Sequence, residues 1–308
     1  MSRKLVSLLT ALALALTGLL SLGCAAADSV TVTDMTGREV TLPERADRIV
    51  ALTASDCEIL YALGAGDLLV GRGEYCDYPE AVLSVPSVQS GAETNIEQIV
   101  ALAPQVVLMA TMAQTTEQVE ALEHAGIRVL VSDAQNIQGV YEAISMIGKL
   151  VGHEAQADAL IGRMRTAFSD VAAQAQPSGK TVYFEVSPLQ WGLWVAGKGT
   201  FMDEIAALCG LTNAFSDVDG WASISEEQVL ERDPDYIVTT TMYFGEGPTP
   251  VEEIRSRAGW EHLKAIENDG VFNADADEIT RPGPRLMDAI RSLFDFIQNH
   301  EADLEPAA

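Results

Sequence analysis

The chain is 308 residues long and carries 45 acidic against 19 basic residues, a formal net charge of −26. So acidic a body repels phosphate backbones and anionic lipid, which sets nucleic acid aside as a partner. The length suffices for one large or two medium globular lobes with a real core.

In chain order, the basic start Met1-Ser2-Arg3-Lys4 and the apolar run over 5–22 have the layout of an export signal. The run ends Leu20-Ser21-Leu22-Gly23-Cys24, and a small residue before Cys resembles the cleavage site of bacterial lipoproteins, although Ser21 stands where such sites usually carry Leu. Residues 1–23 are therefore expected to be a lipoprotein signal peptide, with Cys24 lipidated (diacylglycerol, palmitate). The body would then be extracytoplasmic and lipid-anchored to the cell membrane. An uncleaved anchor is the alternative, since about 20 apolar residues span a bilayer.

Residues 30–42 alternate in polarity around Gly37 and predict a β-hairpin. Extended segments at 48–53, 68–71, 106–110 and 128–132 then alternate with helical patterns at 56–63, after Asn95 and at 115–125. That alternation implies a mostly parallel sheet covered on both faces. From 138 to 176 the pattern is helical only, with a break at Val151-Gly152-His153. Its second part, from Glu154, would be roughly 34 Å long and suits a strut across two lobes. Pro177-Ser178-Gly179 ends it, and the alternation resumes with extended segments at 181–186 and 193–196 and a helix at 200–208. A helix at Glu227, segments at 236–241, 251–257 and 270–274, and a final helix from Pro284 follow. The expected fold is α/β: two Rossmann-like lobes with mostly parallel sheets, 24–150 and 180–308, joined by one long α-helix in 151–179.

Two stretches, 95–108 and 225–238, share an outline. In each, a polar cap (Asn95, Ser225) starts a two-turn helix with an outward carboxylate (Glu97, Glu227), a proline (Pro104, Pro234) stops it, and a β-branched run begins a buried strand. One such unit in each half suggests two similar lobes, each with a carboxylate at a matching position.

Beyond Cys24 there are Cys57, Cys76 and Cys209, with no CxxC or Cys/His spacing for zinc. They read as three small buried thiols, with a Cys57–Cys76 pair the alternative in an oxidising space. His124, His153, His262 and His300 fall on helices or ends without ligand spacing and read as surface or capping residues, so no bare metal site is expected.

The mature sequence resembles the solute-binding proteins of bacterial metal-chelate ABC importers, the class joined by a single rigid helix that includes vitamin B12, haem and ferric siderophore receptors. The matches run in family order: 33–43 (TDMTGREVTLP), 77–81 (DYPEA), 95–99 (NIEQI), 225–230 (SEEQVL) and 281–285 (RPGPR). The resemblance implies an ABC permease and its ATPase as partners, met by one acidic residue per lobe, here Glu97 and Glu227. It implies a monomer with no resident cofactor and with a ligand held between the lobes.

In two-lobed binders the ligand sits in loops that follow strands. The candidate linings are Ala54, Ser55, Glu74, Tyr75, Cys76, Asp77, Tyr78, Thr111 and Met112, then Trp191, Trp194, Trp221, Met242, Tyr243, Phe244 and Arg281. Three of the four Trp fall there although aromatics are 6% of the chain, and loop aromatics gain by burial when a flat ligand covers them. Trp221, in Asp219-Gly220-Trp221, reads as sitting on a bend. Basic groups are few, Arg72, Lys198 and Arg281, so a bulky neutral ligand such as cobalamin or a related corrinoid fits better than an anionic siderophore. Haem comes second, with Tyr75, Tyr78 or Met112 as conceivable iron ligands. Arg281 could hydrogen-bond a ligand amide or carboxylate.

No G-x-S-x-G elbow, P-loop, dinucleotide fingerprint or HExxH accompanies these elements, so an enzyme is not expected. Gly64-Ala65-Gly66 follows a helix and reads as its C-cap. A surface adhesion or scaffold lipoprotein is the alternative from another class, and an extracellular hydrolase the third.

Overall fold

A computed structural model describes residues 29–111 and 115–304. The expected signal peptide and the Cys24 lipid site lie outside the described residues. No helix among the described residues is long and apolar enough to cross a membrane.

The chain opens with an antiparallel hairpin, β1 (Val30–Thr33) and β2 (Glu39–Leu42). Asp34, 4% exposed, holds its turn by accepting hydrogen bonds from the Thr36 and Arg38 amides, both at 3.0 Å. Burial would raise the Asp34 pKa, but bonds from Thr36 and Arg38 outweigh it and hold it low.

Five parallel strands form the first sheet in the order β5-β4-β3-β6-β7: β3 (Ile49–Ala51), β4 (Leu69–Gly73), β5 (Ser87–Val88), β6 (Val106–Met109) and β7 (Arg128–Val131). β3 and β6 are buried throughout, as short β-branched runs covered on both faces should be. The second sheet has the order β11-β9-β8-β12-β13, with β10 (Thr212–Asn213) also on β8. Its strands are β8 (Thr181–Ser187), β9 (Trp194–Ala196), β11 (Trp221–Ser223), β12 (Tyr236–Thr239) and β13 (Val271–Asn273). β8, β12 and β13 are parallel, and β9 runs antiparallel to both β8 and β11. Trp221 therefore begins a short edge strand; the bend falls one residue earlier, at Gly220 (φ 64°).

Between the sheets run the helices Ile137–Val151 and Glu154–Gln174. Gly152 separates them in the left-handed region (φ 76°), with its amide bonded to Lys149 O and His153 N to Gly148 O, which stops the first helix as glycine does at this position. The second helix, 21 residues, is about 31 Å long. Its apolar stripe, Ala157, Leu160, Ile161, Met164, Phe168 and Val171, belongs to one hydrophobic cluster that includes Ile59 and Leu130 of the first lobe and Phe184 and Val238 of the second. The core is thus continuous through the helix.

The repeated segments fold alike. Ile96–Ala101 leads into β6 and Glu226–Arg232 into β12. Asn95 Oδ1 accepts the Gln98 amide at 3.0 Å, and Ser225 N donates to Gln228 Oε1 at 3.0 Å. The residues before the two prolines, Ala103 and Asp233, both take positive φ, 47° and 44°.

Candidate ligand cleft

Every strand of the first sheet is parallel, so the loops after β3, β6 and β7 emerge on one edge; those after β8 and β12 share an edge of the second sheet. The two edges enclose a cavity of about 490 Å³. The first lobe lines it with Thr53, Ala54 and Ser55 after β3, Ala110 after β6 and Asp133, Ala134 and Gln135 after β7. The second contributes Val186, Ser187, Trp194, Phe201, Met202, Trp221, Thr280, Arg281 and Pro282.

One wall is bonded across the lobes. Trp221 Nε1 donates to Gln135 Oε1 at 2.9 Å, the Phe201 amide donates to Gln135 O at 2.9 Å, and the Phe201 and Trp221 rings lie 5.3 Å apart. This fixes the Trp221 indole as a wall with its edge satisfied and a face free for an apolar ligand. Glu204 extends the contact by accepting the Ile137 amide at 2.6 Å at the start of the first-lobe helix.

At Arg281 the lining joins an ion cluster. Arg281 Nη1 donates to Glu58 Oε1 (3.1 Å) and Asp77 Oδ1 (2.7 Å), and its Nη2 meets Asp277 Oδ1 at 2.6 Å. Arg285 clasps Glu58 with two bonds, 2.7 and 3.0 Å, and covers the Tyr78 ring at 4.2 Å. Glu58, 3% exposed, comes from the first-lobe helix Ala54–Ala62, and both arginines come from the other lobe. Burial alone would lower the Arg281 pKa, but hydrogen bonds to Asp77 and Glu58 raise it. Burial would raise Asp77, and Arg281 holds it low. Arg281 is the one basic side chain among the described lining residues, and three carboxylates already occupy it.

Acidity continues along the floor. Asp133 accepts from Thr111 Oγ1 and from Gln135 Nε2 (3.0 Å). Behind it, Asp56 is fully buried, accepts from Thr53 Oγ1 and leaves Oδ1 without a hydrogen bond. Burial pushes Asp56 up to about 6, with the nearby Asp133 adding to it against hydrogen bonds from Thr53 and Ser132.

Of the sequence candidates, Trp194, Trp221, Arg281, Ala54 and Ser55 line the cavity. Tyr75, Tyr78, Trp191, Met242, Tyr243 and Phe244 stay outside it, exposed in the loops after β4, β8 and β12; Tyr75, Trp191 and Phe244 are 75%, 77% and 85% exposed. Tyr75 and Asp77 still adjoin Arg281, whose Nη2 is 3.5 Å from Tyr75 O. Cys76 is buried beneath them, and Met112 lies outside the described residues. Glu97 and Glu227 are both exposed in the first turns of their helices. The Glu227 pKa is lowered by its bond to Ser225. Each helix runs back along the strand it precedes, so both carboxylates lie toward the cleft end of their lobes.

Sequence reasoning missed Glu58, Arg285, Asp133, Gln135, Phe201 and Met202. Asp133 and Gln135 directly follow a predicted strand, and the same rule that selected Ser55 would have found them. Two arginines flanking Pro-Gly-Pro called for an acidic partner, but nothing in the sequence around Glu58 marked it as that partner. Among the described residues no group of three or more His, Cys, Asp or Glu could hold a metal ion.

Known proteins share this architecture. The family model described as periplasmic binding protein matches residues 49–278. An ABC transporter substrate-binding lipoprotein of Bacillus subtilis, YvrC, is 34% identical over 275 residues, 87% of this chain and 85% of that protein. A periplasmic vitamin B12-binding protein of Vibrio cholerae superposes with a TM-score of 0.69 at 25% identity, over 83% of this chain and 98% of that one. A possible iron-binding periplasmic solute-binding protein of Staphylococcus epidermidis does so with a TM-score of 0.71 at 29% identity, over 82% and 99%.

Proposed function

This chain belongs to the periplasmic binding protein family, and from that premise we propose that it is the extracytoplasmic receptor of an ABC importer for a corrinoid such as cobalamin. The observation that carries the ligand choice is the cavity between the strand ends, walled by Trp194 and Trp221 and furnished with one arginine already held by three carboxylates. An anionic chelate would meet Asp133 and the Arg281 cluster without a free cation, at a Coulombic cost. A bulky ligand of neutral or weakly positive charge meets apolar faces and carbonyl or carboxylate acceptors. The exposed aromatics Tyr75, Trp191, Tyr243 and Phe244 provide further area at the rim for a ligand larger than the cavity.

Residues 24–150 and 180–308 act as the two lobes and 151–179 as their connection, with Cys24 as the lipid anchor. Glu97 and Glu227 dock on the permease, which with its ATPase completes the importer. Two carboxylates on one rigid body engage two basic pockets together, which favours orientation and capture rate over affinity.

The body lacking its leader should be titrated with cyanocobalamin, haemin and a ferric siderophore, reading tryptophan fluorescence corrected for inner-filter absorption. Saturable quenching by cyanocobalamin alone is expected. Binding of haemin or the siderophore alone would overturn the charge argument and leave the receptor role standing; binding of none of the three would overturn the chelate reading itself.

A further inference from the structure

Cys57 lies in the helix Ala54–Ala62, and Cys76 follows β4 in the loop that carries Tyr75, Asp77 and Tyr78. Neither lines the cleft, and they are 0% and 1% exposed. Both sulfurs face one acceptor: the Sγ atoms of Cys57 and Cys76 lie 3.8 and 3.9 Å from Ala51 O. Both are free thiols in this structure, and the neighbouring Cys76 thiol, with burial, pushes the Cys57 pKa up. A buried thiol needs one weak acceptor and no second sulfur. Cys209 shows the plain case, set apart against Ile290 O at 3.9 Å.

We propose that Cys57 and Cys76 are joined as a disulfide when the chain folds outside the cytoplasm, which rests on the extracytoplasmic placement above. The Cys57 thiolate attacks a disulfide-bearing oxidant, forming a mixed disulfide and releasing one oxidant thiol. The Cys76 thiolate then attacks the Cys57 sulfur and releases the second. The two cysteines lose two electrons and two protons, and the oxidant disulfide gains both as a dithiol. Once folded, both thiols are hidden from solvent, so exchange is slow; the bond closes before the core does. It ties the helix bearing Ser55 and Glu58 to the loop bearing Asp77, and so fixes the two first-lobe carboxylates that Arg281 engages.

The test starts with the full chain in detergent, reduced and unfolded, then refolded in mixed reduced and oxidised glutathione. It is unfolded again, alkylated with N-ethylmaleimide and digested with trypsin, which cuts after Arg48, Arg72 and Arg128. Peptides 49–72 and 73–128 should be recovered joined, with Cys209 alkylated. Alkylation of both Cys57 and Cys76, or a bond from either to another cysteine, overturns the proposal. The oxidised protein should melt roughly 5 °C above the reduced one, and C57S should abolish that gap while leaving Cys76 alkylated. Alkylating protein from acid-quenched cells distinguishes the two premises: thiols free in cells but joined on refolding refute the extracytoplasmic placement, not the pairing.

Discussion

Glu58 shows how one side chain can hold two lobes. Its carboxylate has little contact with water and two guanidinium partners, at 2.7 and 3.1 Å. Replacing it takes from Arg285 its ion-pair partner, while Arg281 keeps Asp77 and Asp277, so Glu58→Ala should lower stability by about 3 kcal/mol. A lower urea midpoint at unchanged slope would show it. Asp56 makes a pH prediction. An acid whose folded pKa lies above its unfolded value binds its proton more tightly when folded, so stability is fully present below 3.8 and lost as pH rises through about 6. Melting temperatures of wild type and Asp56→Asn across pH 4 to 8 should therefore diverge, the variant lacking the decline that ends near 6. Trp194, Trp221 and Arg281 were legible because they are aromatic or basic residues at the ends of short elements, the two tryptophans each beginning a strand and Arg281 ending a helix. Asp56 and Glu58 were not, because acidic residues on a helix normally face solvent; Glu58 is covered by arginines of the other lobe and Asp56 lies against Thr53 of its own.

At the scale of elements, a glycine between two helices and a glycine inside one predict opposite outcomes. Gly152 is at φ 76°, and a Cβ there would lie 2.5 Å from the Arg45 side chain. Gly152→Ala should cost about 1–2 kcal/mol from the left-handed backbone, with Arg45 displaced as well. Gly162 lies exposed inside the helix Glu154–Gln174, where an added Cβ meets nothing within 4 Å. Gly162→Ala should stabilise by about 0.5–1 kcal/mol; calorimetry on both variants checks the pair. Most elements were legible from periodicity, including the hairpin, the long helix and the Asn95 and Ser225 units. β5 and β10, two residues each, and the helices Lys264–Glu267 and Ala276–Thr280 were not. Segments that short have no measurable period and exist because a neighbouring strand or core holds them.

For the whole molecule, the shared core decides how the lobes behave. One cluster runs from the first lobe through the long helix into the second, so the lobes should not melt separately. Scanning calorimetry should give one transition with calorimetric and van't Hoff enthalpies equal; two transitions would show independent lobes. The docking role proposed for Glu97 and Glu227 belongs to the same scale. Glu97→Gln with Glu227→Gln should abolish uptake in cells while leaving ligand affinity unchanged, and a fall in affinity would remove them from the docking role.

Arg281 borders the cavity and also bridges the lobes, so occupancy and closure are thermodynamically reciprocal. A ligand group that draws the guanidinium from Glu58 or Asp77 weakens the bridge by the same factor that the bridge weakens the ligand. A receptor arranged this way is loosest between its halves when its cargo is most firmly engaged with that arginine, the condition in which a permease pulling on both lobes could part them with the least work.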